Sequence, residues 1–158
     1  MKKFNYIEIL ALILLILVGV MPCYNMVMAS ETQQRIAKQV VRLHVLANSD
    51  SASDQMMKLK VKQAVVEYLQ EELSDVSSRE EALYRIRELF PQIKNVAESI
   101  LSENGCSYNV EICLEDTDFP EKSYGDMTFP AGNYTALRVL IGKGEGKNWW
   151  CILFPSLC

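Results

Sequence analysis

Gly105-Cys106-Ser107-Tyr108-Asn109-Val110-Glu111-Ile112-Cys113-Leu114 divides this chain into two kinds of sequence. Tyr108, Val110, Ile112 and Leu114 alternate with Ser107, Asn109, Glu111 and Cys113, which is the period of two expected of a half-buried strand. Before Gly105 the apolar residues recur every three or four positions instead. Gly105 stands where a left-handed helix stop is expected.

Working back from that glycine, Ile93, Val96, Ala97, Ile100 and Leu101 line one side of a helix that starts near Pro91, a residue suited to a first helical position. Ser78-x-x-Glu81 is a capping box, and the helix behind it carries Ala82, Leu83, Ile86, Leu89 and Phe90 inward. Met57, Val61, Val65, Leu69 and Leu73 recur every four residues, with Ala64 and Tyr68 widening the stripe. Lys58, Lys60, Lys62, Glu67 and Glu71 take mostly the other face. The pattern predicts an amphipathic helix of about five turns, capped by Ser53 or Asp54. Arg42-Leu43-His44-Val45-Leu46-Ala47, followed by the turn cluster Asn48-Ser49-Asp50-Ser51, reads as a strand over 42–47. A helix continuous from Thr32 to Ala47 is the rival reading. Ser30-Glu31-Thr32-Gln33 is a second capping box, with a short helix expected after it.

Forward from Leu114, Glu115 to Ser123 is expected to be an acidic loop. Tyr134 to Ile141 reads as a strand with Thr135, Leu137, Val139 and Ile141 on one face. Gly142 to Lys147 reads as a turn and Asn148 to Phe154 as a third strand, so neighbouring strands should pair antiparallel. The expected class is α+β: a helical layer packed on one face of a mainly antiparallel sheet.

The amino end has a different purpose. Met1-Lys2-Lys3 is basic, Ile9 to Met21 is apolar or glycine throughout, and Val27 and Ala29 fit a cleavage pattern. Residues 1–29 are therefore expected to be a signal peptide, with an uncleaved signal anchor as the alternative. That leaves 30–158 as a single exported domain. The whole chain has 16 basic and 20 acidic residues, a net charge of −4, and this argues against a nucleic-acid partner. The leader removes two lysines and one glutamate, so the exported part is more acidic still. A membrane is expected to matter only through the leader or through a partner.

Cys23 lies in the leader and Cys106, Cys113, Cys151 and Cys158 outside it. An even set in an exported chain is expected to form disulfides. On a single strand Cys106 and Cys113 would stand roughly 23 Å apart, too far for a bond. Pro155-Ser156 can turn the chain so that Cys151 meets Cys158. A ladder with Cys106–Cys158 and Cys113–Cys151 remains open. The C-x6-C spacings do not suit zinc.

No group for catalysis assembles in the sequence. Gly142-x-Gly144-x-Gly146-Lys147 lacks the spacing and the Ser or Thr of a phosphate loop and reads as a hairpin turn. Asp116-x-Asp118 lacks the rest of a calcium loop. His44 is the only histidine, without a Gly-x-Ser-x-Gly elbow to serve. Asp50, Asp54, Glu111, Asp116 and Asp126 offer carboxylates, but nothing singles out a pair. No catalytic, cofactor-binding or metal residue is assigned. Trp149-Trp150 is different: neighbours on a strand face opposite sides, so one indole should reach solvent or a partner, where Trp is enriched among binding hot spots.

A resemblance joins these pieces. Arg42-Leu43-His44-Val45-Leu46-Ala47-Asn48-Ser49-Asp50-Ser51, with Asp54-Gln55 and Lys58-Leu59-Lys60-Val61, resembles the opening signature of the stage II sporulation protein R family. Phe119-Pro120-x-Lys122-x-Tyr124-Gly125 follows in order. Then come Pro130-Ala131-Gly132-x-Tyr134-x-Ala136-Leu137-Arg138-Val139, Ile141-Gly142-x-Gly144-x-Gly146-x-Asn148-Trp149-Trp150-Cys151 and Leu153-Phe154-Pro155-x-Leu157-Cys158. The resemblance implies a non-enzymatic signal made in the forespore of an endospore-forming bacterium. It would be exported into the space between forespore and mother cell membranes. There it would activate the membrane-embedded sigma-E factor-processing peptidase, which cleaves pro-sigma-E. Candidate contacts are the exposed members of Arg42, His44, Asn48 and Asp50, together with Lys122, Tyr124 and Trp149 or Trp150. A secreted cell-wall hydrolase is the alternative function.

Overall fold

The computed structural model describes residues 5–125, 127–156 and 158. Met1, Lys2, Lys3, Asp126 and Leu157, named above, lie outside the described residues. The chain divides into two units at Arg35/Ile36. Helix α1 (Tyr6–Ala37) runs without interruption through the expected cleavage point. Ser30 therefore lies within a helix rather than at the start of one, which corrects the short capped helix expected there. Leu10, Leu14, Leu15, Ile16, Leu17 and Val18 of this helix are exposed. Among the described residues no helix is long and apolar enough to cross a membrane.

The second unit is α+β. Its elements are β1 (Val41–Leu46), α2 (Ala52–Glu72), α3 (Arg79–Glu88), α4 (Phe90–Glu103), β2 (Val110–Phe119), β3 (Lys122–Tyr124), β4 (Met127–Phe129), β5 (Gly132–Ile141) and β6 (Asn148–Phe154). Arg42 to Leu46 are strand, so the rival helix through Ala47 is not formed. The main sheet has the order β2-β5-β1-β6, and β3 and β4 form a separate two-stranded hairpin. All six residues of β1 are buried, as suits a central strand covered on both faces. It pairs parallel with β5 and antiparallel with β6, and β2 pairs antiparallel with β5.

Two expectations fail here for physical reasons. The Gly142–Lys147 turn does not make a hairpin, because β1 separates the strands on either side of it. The segment instead bridges the end of β1, a span of two strand spacings or about 10 Å. Nor is Glu115 to Phe119 a loop. Those residues continue β2, since the outward acids find partners on β5: Glu115 with Arg138, Asp116 with Thr135 at 2.7 Å and Asp118 with Asn133 at 3.1 Å.

The helices cover one face of the sheet. Val41, Leu43 and Val45 of β1, with Leu137, Val139 and Ile141 of β5, pack there against Val61, Val65 and Leu69 of α2, Ile86 of α3 and Ile93 and Leu101 of α4. Ser78 Oγ accepts from Glu81 N at 3.2 Å, as its capping box requires. The cap of α2 is Ser51, whose Oγ accepts from Asp54 N at 3.1 Å; neither Ser53 nor Asp54 fills that place. Gly105 has φ +71°, the left-handed stop expected of it. On the other face Val40, Phe119, Phe129, Tyr134, Ala136 and Ile152 form a second cluster against the β3–β4 hairpin. The cysteines outside the leader form one disulfide, Cys151–Cys158, across seven residues, with Cys106 and Cys113 free; the Cys106–Cys158 and Cys113–Cys151 ladder is not formed.

Candidate functional site

The signature residues gather at two places around β1. On the face away from the helices, Arg42 is fully buried. Its guanidinium carbon lies 4.0 Å from the centre of the Phe119 ring and 5.0 Å from that of Tyr134. Arg42 Nη2 donates to Tyr124 Oη at 3.1 Å, and Tyr124 Oη donates on to the Trp150 carbonyl at 3.3 Å. Arg42 Nε and Nη1 have no hydrogen-bond partner among the described residues. The charge is held by aromatic faces instead, and burial pulls its pKa below the usual guanidinium value. Two strand positions on, and so on the same face, His44 stacks on Trp150 with ring centres 3.6 Å apart. Its Nε2 pairs with Asn148 Oδ1 at 2.8 Å. Burial holds the His44 pKa down to about 4, so the ring is neutral at pH 7.

At the end of β1 a polar knot ties three segments together. Asp54 Oδ2 accepts from Asn48 Nδ2 at 2.9 Å and from Ser49 Oγ at 2.6 Å. Those donors, Ser49 first, keep its carboxyl below the ordinary range. The other side of Asn48 faces the glycine segment, where its Oδ1 accepts from Lys143 N at 3.0 Å. Asp50 Oδ1 accepts from Lys147 N at 2.7 Å, and Gly146 N donates to the Ala47 carbonyl at 2.8 Å. Lys58, expected on the solvent face of α2, is buried; its Nζ donates to Gln55 Oε1 at 2.7 Å and to the Lys147 carbonyl at 2.9 Å. A Cβ on Gly146 would stand 2.2 Å from the Ser49 carbonyl oxygen, and one on Gly142 2.4 Å from Asn48 Oδ1. The glycines are spaced for close approach to the Asn48–Asp50 turn rather than for a phosphate.

The eight candidate contacts thus separate. Arg42 and His44 are buried, so they drop out as surface contacts: they pack the hairpin and the edge of β6. Asn48 is half-buried and Asp50 exposed, and both are engaged with the glycine segment. Lys122 is exposed at the start of β3, while Tyr124 and Trp150 are half-buried in the aromatic cluster. Trp149 is 37% exposed at the sheet edge, with Lys62 Nζ 5.0 Å from its ring centre. The adjacent tryptophans do face opposite ways, and Trp149 is the outward one. The alternation along β6 carried that signal; nothing in the spacing foretold that Arg42 would lie against the Phe119 and Tyr134 rings.

The polar groups of the site are committed to contacts within the fold. The Asp54 carboxylate is spent on hydrogen bonds and the reachable His44 nitrogen on Asn148. Among the described residues no group of three or more His, Cys, Asp or Glu could hold a metal ion.

Comparisons with known proteins cover the same part of the chain. The family model for stage II sporulation protein R matches residues 37–158, which takes in nearly all of the second unit. Stage II sporulation protein R of Bacillus subtilis (strain 168) is 41% identical over 123 residues, 78% of this chain and 55% of the relative. The chain thus spans about half the length of the curated relative it matches. No solved structure matches. With the signature blocks folded into the arginine cluster and the polar knot, and the match running across both, the chain belongs to the stage II sporulation protein R family.

Proposed function

We propose that this chain is an exported sporulation signal that activates the membrane-embedded sigma-E factor-processing peptidase and so leads to cleavage of pro-sigma-E in the mother cell. The observation that carries the reading is family membership across residues 37–158. The leader pattern of residues 1–29 supports export from the forespore into the space between the two membranes. A ligand of this kind activates only by binding the active arrangement of its target more tightly than the resting one. What such a ligand needs is a rigid scaffold with a fixed outer surface, and the buried arginine cluster and polar knot would supply that rigidity.

The test is genetic and biochemical. Deleting the gene in the spore-forming host should leave pro-sigma-E uncleaved. A copy expressed only in the forespore should restore cleavage, and a copy lacking residues 1–29 should not. Normal cleavage in the deletion strain would remove the proposal.

A further inference from the structure

Exposed apolar side chains and positive charge come together beside Trp149. Met56, Leu59 and Trp149 are 55%, 45% and 37% exposed. Met56, Leu59 and Lys62 follow one another at three-residue steps along α2, so they share one side of that helix. The approach of Lys62 Nζ to the Trp149 ring, at 5.0 Å, joins that side to β6. Lys60 Nζ donates to the Asn104 side chain at the far flank of the same helix.

Charge along α2 is segregated. Gln55 to Val66 presents Lys60 and Lys62 and contains no carboxylate, Lys58 being buried, whereas Glu67, Glu71 and Glu72 follow. Across the sheet, the opposite edge strand β2 turns Glu111, Glu115, Asp116 and Asp118 to the solvent side. In a chain of net charge −4, a basic and apolar patch is a local inversion of the surface.

We propose that Met56, Leu59, Lys60, Lys62 and Trp149 form a docking surface for an acidic segment of a protein partner that also carries an apolar side chain. Trp149 is the anchor, since an exposed tryptophan contributes most when a partner excludes water from it. The lysines select carboxylates and speed encounter. The glutamates farther along α2 repel an acidic segment laid down in the wrong register, which gives the surface a direction. The partner's identity rests on the function proposed above, in which it is the outward-facing part of the peptidase.

The experiment measures capture of the exported chain by vesicles that carry the peptidase, by empty phosphatidylglycerol vesicles and by itself in sedimentation. Three variants accompany the unmodified chain: Trp149→Ala, the double variant Lys60→Glu with Lys62→Glu, and Glu121→Lys as a control away from the patch. Thermal unfolding monitors folding of each. The expected result is specific capture by peptidase vesicles, weakened about tenfold or more by each patch variant and unchanged in the control, with every variant folded at the assay temperature. Capture of folded patch variants at full strength overturns the surface but leaves the function standing. No capture of the unmodified chain overturns both. Equal, patch-dependent capture by empty vesicles assigns the surface to lipid, and patch-dependent self-association assigns it to a second copy; either overturns an acidic protein partner.

Discussion

Acidification from pH 7 to pH 5 should destabilise the second unit through His44. The ring is 4% exposed, stacked on Trp150 and bonded through Nε2 to Asn148. Burial lowers its pKa from 6.5 to about 4. Between those values the unfolded chain holds a proton that the folded chain lacks. Stability therefore rises with pH across the window and falls on acidification. The full shift corresponds to roughly 3 kcal/mol, and partial access of water to the edge of the sheet reduces this to about 1–2 kcal/mol. Asp54 acts in a separate window: its lowered pKa gives stability that is present above its ordinary value of 3.8 and lost below it. The assay is urea unfolding at several pH values between 7.5 and 4.5, comparing the unmodified chain with His44→Gln. The amide keeps a partner for Asn148 but does not titrate. The unmodified chain should lose about 1–2 kcal/mol more than the variant. Parallel curves for the two proteins would refute a buried, neutral His44.

Other substitutions probe the remaining parts. Arg42→Ala should cost about 3 kcal/mol by urea unfolding, because it leaves a void beside Phe119 and Tyr134 and strips Tyr124 of its donor. Arg42→Met should cost under about 1 kcal/mol, since a buried cation exchanged for an apolar chain of similar volume is often neutral; equal losses would mean that the charge itself is needed. Gly146→Ala should cost about 2–4 kcal/mol, the new Cβ being forced against the Ser49 carbonyl, and a near-neutral result would show that the knot is loose. Replacing both Cys151 and Cys158 by Ser should lower stability by about 2 kcal/mol, the loop-closure value for a bridge of this span; no change under oxidising conditions would mean that the bridge does not constrain the unfolded chain.

The helical half was legible because each helix buries one stripe. Met57, Val61, Val65 and Leu69 are all in the core, and the periodicity names them without help from tertiary contacts. The sheet was legible as strands but not as a topology. Nothing local in Gly142–Lys147 distinguishes a hairpin from a bridge over a third strand, because the deciding contacts are with Asn48, Asp50 and Ala47, nearly a hundred positions away. The acidic end of β2 was hidden for a similar reason: Glu115 and Asp116 read as loop until β5 brings Arg138 diagonally to the first and Thr135 opposite the second. Within the site, alternation placed one tryptophan outward, but composition could not say that Arg42 and Lys58 would be buried. Both are long cations whose burial depends on partners contributed by distant segments, Phe119, Tyr124 and Tyr134 for one and the Lys147 carbonyl for the other.

Reconstitution across a membrane tests the central claim most directly. The sigma-E factor-processing peptidase is placed in vesicles with pro-sigma-E on the side opposite the added protein, and residues 30–158 are supplied from outside. Activation by contact expects cleavage that depends on the added protein, saturates with it and stops when it is left out. Cleavage unaffected by the protein, or breakdown of peptidoglycan by the purified protein without any peptidase present, would contradict it.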